Sequence, residues 1–215
     1  MIKPYFETKL GKLYHGDCLE VMEQFPDNHF DLCLTDPPYG VGIKYDCFED
    51  NEENLIKLID NVMPIIIQKS KTILITPGQK NLFNYPTPSW ILAWVNMAGT
   101  GFNKWGMTCW HPILFYGDRP KKLQHDVIVF NGSPEQETGH PVPKPLGLWA
   151  ELLEKGLQNK NSIVIDPFIG SGTTGIICEK NNIKWIGIDV SEKYCAIAKE
   201  RILSESQQGK LFETI

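Results

Sequence analysis

Arginine is nearly missing from this chain: among 215 residues only Arg119 and Arg201 carry a guanidinium. Bidentate recognition of guanine edges therefore has few candidates. Positive charge as a whole is short, with 21 Lys and Arg against 26 Asp and Glu, a formal charge of -5 and a pI near 5.6. A polynucleotide site, if there is one, has to be local, because phosphate neutralisation needs a basic face. Close cysteine pairs are also missing. Cys18, Cys33, Cys47, Cys109, Cys178 and Cys195 stand singly, without the spacing of zinc or redox motifs, and read as reduced packing residues. No apolar run is long enough to cross a bilayer, since Val62 to Thr76 is interrupted by Gln68, Lys69, Ser70 and Lys71. The segment Met1 to Glu7 lacks an apolar run followed by small residues, which excludes a secretory signal and predicts a cytoplasmic protein.

What is present is the composition of an ordinary globular domain, 42% hydrophobic and 22% charged. The length suits one α/β domain over residues 1–215 and is short for two. Gly11 to His15, Phe30 to Thr35, Thr72 to Thr76, Ser162 to Asp166 and Lys184 to Asp189 read as strands. Cys18 to Gln24, Asn54 to Gln68, Thr173 to Asn181 and Glu192 to Ser204 read as helices, the last capped by Ser191. This β-α-β-α rhythm predicts a doubly wound sheet. Trp90 to Met97 and Ile113 to Tyr116, joined through Gly99 and Gly101, predict an antiparallel hairpin. Gly117 to Gly139 is the longest irregular stretch, with His125 to Phe130 as a further strand candidate.

Two segments at opposite ends of the chain carry the chemistry. In Asp166-Pro167-Phe168-Ile169-Gly170-Ser171-Gly172-Thr173-Thr174 a strand ends at an acid and a glycine turn follows, where open α/β sheets bind ligands. Asp189, ending the next strand about twenty residues on, stands where such folds bind ribose hydroxyls. No Gly-Lys-Ser/Thr follows, which disfavours a P-loop. The second segment is Thr35-Asp36-Pro37-Pro38-Tyr39-Gly40. Its prolines stiffen the chain leaving a strand. The Asp36 carboxylate and Pro37 carbonyl can both accept hydrogen bonds from one NH2 group, and Tyr39 offers a ring to stack on a heterocycle. The plain alternatives are a tight strand-to-helix turn and a proline-stiffened turn.

Asp36-Pro37-Pro38-Tyr39 resembles the catalytic tetrapeptide of S-adenosylmethionine-dependent amino-methyltransferases acting on nucleic-acid bases. Residues 166–174 resemble their cofactor loop. With the tetrapeptide N-terminal and the cofactor loop C-terminal, the order is that of the permuted beta class of DNA methyltransferases. His15-Gly16-Asp17-Cys18-Leu19-Glu20 and His140-Pro141-Val142-Pro143-Lys144-Pro145-Leu146 fit two further motifs, and the resemblance covers most of residues 11–204. It implies a Rossmann-like, mostly parallel seven-stranded sheet in the family order 3-2-1-4-5-7-6, with one antiparallel strand.

The resemblance also implies that Asp36, Pro37, Pro38 and Tyr39 are catalytic. Asp17 and the Cys18 backbone would approach the cofactor adenine, and Asp189 its ribose. Asp166, Phe168, Gly170, Ser171, Gly172, Thr173 and Thr174 would surround the methionine portion, with His140 and Lys144 near its carboxylate. A helix cap is the alternative for Asp17, and a solvated loop position the alternative for Lys144 and His140. The activity implied is methyl transfer from S-adenosylmethionine to adenine N6 in DNA, by base flipping and direct displacement, as in restriction–modification. Cytosine N4, an RNA or protein substrate, and a non-catalytic subunit of a modification complex are the alternatives.

Full-sized members carry a long target-recognition segment. Here residues 117–139 would be a reduced insert, with Arg119, Lys121, Lys122, Gln124 and His125 as its basic patch, or a plain solvated loop. A homodimer or partner subunit could supply the missing positive surface. Trp90, Trp94, Trp105 and Trp110 cluster mid-chain and are expected in the core, with a base-flanking or subunit-facing role as the alternative.

Overall fold

A computed structural model describes residues 2–118, 124–132, 141, 143–157, 159 and 161–211, with side chains described as far as residue 205. His140, Arg119, Lys121 and Lys122 lie outside the described residues. In chain order the elements are β1 (Phe6–Glu7), β2 (Gly11–His15), α1 (Cys18–Met22), β3 (Phe30–Thr35), α2 (Glu52–Lys69), β4 (Ser70–Ile75), β5 (Trp90–Val95), β6 (Trp110–Gly117), β7 (Val127–Val129), α3 (Leu146–Gly156), β8 (Ile163–Asp166), α4 (Thr173–Lys180), β9 (Lys184–Asp189) and α5 (Glu192–Leu211). They build one sheet in the order β1-β2-β9-β8-β3-β4-β6-β5-β7.

The sheet has nine strands where seven were expected. From β2 to β5 the order follows the expected sequence, with β6 antiparallel to both β4 and β5. The two extra strands are short edges. Thr8 accepts hydrogen bonds from the amides of Leu10 and Gly11 on its hydroxyl, which turns the chain tightly and lays β1 antiparallel on β2. Two strands therefore run against the rest, where one was expected. At the other edge β7 pairs in parallel with β5.

Helices cover both faces, as parallel strands require. Trp149 of α3, Ile176 of α4 and Ala198 of α5 share one apolar cluster with Leu32 and Val164 of the sheet. Val21 of α1 and Ile59 of α2 share the other with Phe30 and Ile165. The four β-branched or leucine side chains of β8 and β9 nearest the centre are buried, hence their continuous apolar reading. Gly11 admits the Trp185 indole against its backbone, since a Cβ there would lie 1.9 Å from Cε2 of that ring. The indole is fully buried and its Nε1 donates to Glu179 at 2.8 Å, so it has nowhere to go. Gly11→Ala is expected to cost about 3 kcal/mol and to lower Tm by roughly 5–10 °C in a thermal melt.

Of the four mid-chain tryptophans, only Trp94 is buried. Trp90, Trp105 and Trp110 are exposed, Trp90 and Trp110 on strands near the edge of the sheet and Trp105 on the connection between them. Trp149 and Trp185 join Trp94 in the core. All six cysteines are free, with Cys18, Cys33, Cys178 and Cys195 buried. Burial pushes the Cys18 thiol up to about 12. Among the described residues no helix is long and apolar enough to cross a membrane, and no cluster of ligating side chains suits a metal.

Candidate active site

β3 and β8 are neighbours and parallel, so the two signature segments, far apart in the chain, leave the sheet side by side at its carboxyl edge. A hydrogen bond joins them: Thr35 Oγ1 donates to Asp166 Oδ1 at 2.6 Å. Thr174 Oγ1 donates to the other oxygen of Asp166 at 2.5 Å and accepts from Trp149 Nε1 at 2.9 Å, and Phe168 N donates to Oδ1 at 3.1 Å. Asp166 is thus the buried hub of the glycine turn. Its burial pushes its pKa up to about 6 against the pull of these donors.

The turn itself depends on two left-handed glycines, Gly170 (φ 51°) and Gly172 (φ 87°). Asp189, at the end of β9, accepts from Gly170 N at 3.0 Å and Ser191 N at 2.8 Å. Burial lifts it to about 6 as well. Arg201 of α5 donates from Nη1 to the carbonyl and hydroxyl of Ser171, at 2.6 and 2.9 Å, which ties the turn from behind.

In the second segment the Asp36 carboxylate is crowded with donors. Tyr39 OH reaches Oδ1 at 2.5 Å, Thr76 Oγ1 also donates to Oδ1, and Lys144 Nζ pairs with Oδ2. The Lys144 ammonium also lies 5.0 Å from the Tyr39 ring centroid. The structure therefore sets Lys144 on Asp36. Burial and the Asp36 charge push the Tyr39 hydroxyl pKa well up, so it serves as a donor.

Support for the tetrapeptide comes from residues that the sequence reading did not single out. Asn81 Nδ2 donates to the Tyr39 carbonyl at 2.6 Å, and Gly78 (φ 71°) leaves room for the Tyr39 ring, which a Cβ there would approach to 3.2 Å. Asp50, also buried, gathers the amides of Gly40, Val41 and Ile43 at 2.6, 3.0 and 2.9 Å. Across the site, Ser191 Oγ donates to Asp46 at 2.6 Å and so pins the loop after the tetrapeptide to the end of β9.

Between the segments lies a cleft of about 340 Å³, more apolar than polar in its lining. Asp17, Cys18, Asp36, Pro38, Lys144, Asp166, Phe168, Gly170, Ser171, Thr173, Thr174 and Asp189 all line it. Pro37, Tyr39 and Gly172 stand behind that lining. Asp17 caps α1 through Leu19 N at 2.7 Å and lines the cleft as well, so both readings of it hold geometrically. Tyr45, Cys47 and Phe48 of the loop and Tyr194 of α5 complete the wall.

The basic patch expected over residues 119–125 is described only at Gln124 and His125. Lys155 Nζ donates to the His125 carbonyl at 3.2 Å, at the end of α3. Gly117 pairs with Thr72 at the start of β4, so β6 ends at the amino edge of the sheet, opposite the cleft.

Residues 113–200 match a family model described as DNA methylase. The chain is 29% identical over 98% of its length to the type II methyltransferase M.BamHI of Bacillus amyloliquefaciens, and it spans 61% of that protein. Among solved structures, it resembles the M1.HpyAVI complex with SAM (TM-score 0.67, 22% identity, 90% of this chain and 99% of that one). It also resembles the PvuII DNA methyltransferase, described as cytosine-N4-specific (TM-score 0.69, 18% identity, 96% of this chain and 94% of that one).

Proposed function

We propose that this chain transfers a methyl group from S-adenosylmethionine to an exocyclic amine of a DNA base, and that the base is adenine and the position N6. The observation that carries this reading is the single cleft joining the Asp36 carboxylate to the glycine turn and Asp189. Similarity to DNA methylases across the chain supports it. Aspartate at the first position of the tetrapeptide favours adenine, because in the family that the motif resembles a serine there is commoner among cytosine-N4 enzymes.

The donor set fits the cofactor. The cleft is of ligand size and mostly apolar, with carboxylates at Asp17 and Asp189 for polar adenosine groups and the turn of Gly170, Ser171, Thr173 and Thr174 along one side. S-adenosylmethionine, when bound, supplies an electrophilic methyl group. Asp189 would accept from the ribose hydroxyls, Phe168 and Cys18 would enclose the adenine and methionine parts, and Gly170 to Thr174 would bound the cofactor from below.

A target base has to leave the duplex stack before its amine can reach a site at this depth. Asp36 and the Pro37 carbonyl would take the two amine hydrogens, which aims the nitrogen lone pair into the cleft. The carboxylate also stabilises the positive charge that develops on that nitrogen. In the structure Lys144 holds the place on Asp36 Oδ2 that the amine would take, so its ammonium has to yield as the base enters.

Acidity gives a direct check on Asp189. Its folded value of about 6 lies above the ordinary 3.8 of aspartate, so the native state holds protons more tightly than the unfolded chain. Burying Asp189 and Asp166 as carboxylates therefore costs stability that is recovered as pH falls through 6 towards 4. Cofactor affinity is expected to move the opposite way. It should weaken several-fold between pH 7 and 5 as Asp189 protonates, measured by calorimetry, and Asp189→Asn should bind weakly with a smaller pH dependence, the part that Asp166 leaves. The activity itself is tested by transfer of labelled methyl groups from S-adenosylmethionine to duplex DNA, single-stranded DNA and RNA. Label in DNA is expected, and label in RNA alone, or in none, contradicts the reading.

A further inference from the structure

Acidic residues vanish from the middle of this acidic chain: not one Asp or Glu stands between Asn61 and Gly117. That stretch contains β4, β5, β6 and the hairpin connecting the last two. Its lysines are few. Lys69 and Lys71 pair with Asp27 and Asp31, each at 2.8 Å, and Lys80 with Glu52 at 3.4 Å, whereas Lys104 makes no ion pair among the described residues.

The hairpin stands on the carboxyl edge of the sheet, the same edge as Asp36. β6 runs against β4 with Leu114 opposite Ile75, so Trp110 and His111 lie beyond the end of β4. There Gln79 Nε2 meets the Trp110 carbonyl at 2.5 Å and His111 Nδ1 at 3.1 Å, one residue from the Gly78 that receives the Tyr39 ring. His111 is stacked on Trp94 and held by Thr100 Oγ1 at 2.6 Å. From this base the two arms continue outward, paired through Thr100 with Thr108 and Phe102 with Met107.

The tip is ordered. Asn103 Oδ1 accepts from the amides of Trp105 and Gly106 at 2.8 and 3.0 Å, Asn103 Nδ2 donates to Thr108 Oγ1 at 2.8 Å, and Asn103 N donates to the Gly106 carbonyl at 2.8 Å. Yet this fixed turn holds Trp105 98% and Phe102 84% exposed. Large aromatics on a structured tip, beside a lysine with no ion pair among the described residues and in a stretch without Asp or Glu, suit a polyanion with flat apolar faces between its charges.

We propose that the tip of the β5–β6 hairpin is a duplex-facing wedge, in which Trp105 stacks into the space that the target base leaves and Lys104 lies against the phosphates. This rests on the reading of the cleft as a DNA amino-methyltransferase. Turning a base out of a duplex costs stacking and pairing, and an aromatic side chain in the gap offsets part of that cost. The hairpin adds a nucleic-acid contact on the edge where the base must enter.

The test uses the intact chain and two DNA duplexes containing a mapped methylation site, one fully paired and one with an abasic site opposite the target base. Trp105→Ala is expected to lower kcat/KM on the paired duplex by about 10- to 100-fold, as the loss of one stacking contact implies. On the abasic duplex, where turning the base out is cheap, it should stay within about threefold of the wild type. Trp105→Phe should retain most activity on both, and cofactor affinity should not change. Equal loss on both duplexes, or no loss on either, overturns the wedge. So does a wild-type dimer that Trp105→Ala splits in sedimentation, since a second copy would then be what covers the tip. Duplex affinity, read by anisotropy, keeps the two readings apart. A wild type that methylates neither duplex contradicts the reading of the cleft, and a duplex affinity unmoved by Trp105→Ala contradicts the wedge.

Discussion

Asp36→Asn is expected to lower methyl transfer by at least about 10³-fold while leaving cofactor affinity within a few-fold of the wild type, because it removes a fixed negative charge from beside a nitrogen that becomes positive. The amide keeps an oxygen for the Tyr39 and Thr76 hydroxyls, which both donate to Asp36 Oδ1, but it turns an NH2 group towards Lys144, which pairs with Oδ2, so some stability is lost with the charge while the side chain's shape and two of its hydrogen bonds remain. Asp36→Ala is the less informative change. Lys144 is only 9% exposed and Asp36 19%, and stripping the carboxylate leaves a nearly buried ammonium without its partner, a cost of about 3–5 kcal/mol. Adding Lys144→Met should recover much of the stability lost in Asp36→Ala and none of the activity. Single-turnover transfer and thermal melts on the wild type and these three variants separate the two effects. Parallel loss of cofactor binding and transfer in Asp36→Asn would make this aspartate a structural residue.

Gly172→Ala is the second large effect, and it falls on the other half of the cleft. Gly172 has φ 87°, where an L side chain costs about 1–2 kcal/mol. A Cβ there would also stand 3.0 Å from both Cα and Cβ of Ala198 on α5, and a helix backbone cannot step aside as a flexible side chain could. The turn would have to move off α5, taking Ser171 from Arg201. A fall in Tm of roughly 5–10 °C and cofactor affinity at least about tenfold weaker are expected, by thermal melts and calorimetry. Unchanged cofactor affinity would place the glycine turn outside the binding site.

The sequence was a good guide wherever periodicity and strand ends agreed. β8 and β9 are readable because a buried parallel strand is a continuous apolar run, and each stops at an aspartate of the cleft. The hairpin of β5 and β6 was readable from its glycines. α3 has no counterpart among the helices read from the sequence, although Leu146, Trp149, Leu152 and Leu153 recur on one face; Leu146 closes the segment His140–Leu146 in sequence and opens this helix in the structure. The tryptophans misled for a physical reason. Aromatic content favours burial on average, but β5 and β6 alternate faces near an edge, and alternation alone does not say which face is covered.

At the site, the segments were legible and their supports were not. Thr76, Gly78 and Asn81 follow a strand that ends beside the tetrapeptide only after the sheet forms, so nothing local marks them. A Thr-Pro-Gly run directly after a buried strand was the available signal. Asp50 and Arg201 act through backbone groups of distant loops, a role with no pattern in sequence. The resemblance sets Lys144 near the cofactor's carboxylate, and in the structure Lys144 pairs with Asp36.

The measurement that tests the central claim most directly is nucleoside mass spectrometry of DNA incubated with S-adenosylmethionine and the wild-type chain, with Asp36→Asn beside it. N6-methyladenine that appears with the wild type and not with the variant is the expected result. N4-methylcytosine would keep the amine chemistry and change the base. A methyl group on a ring carbon, or equal product with the variant, would contradict the role given to Asp36.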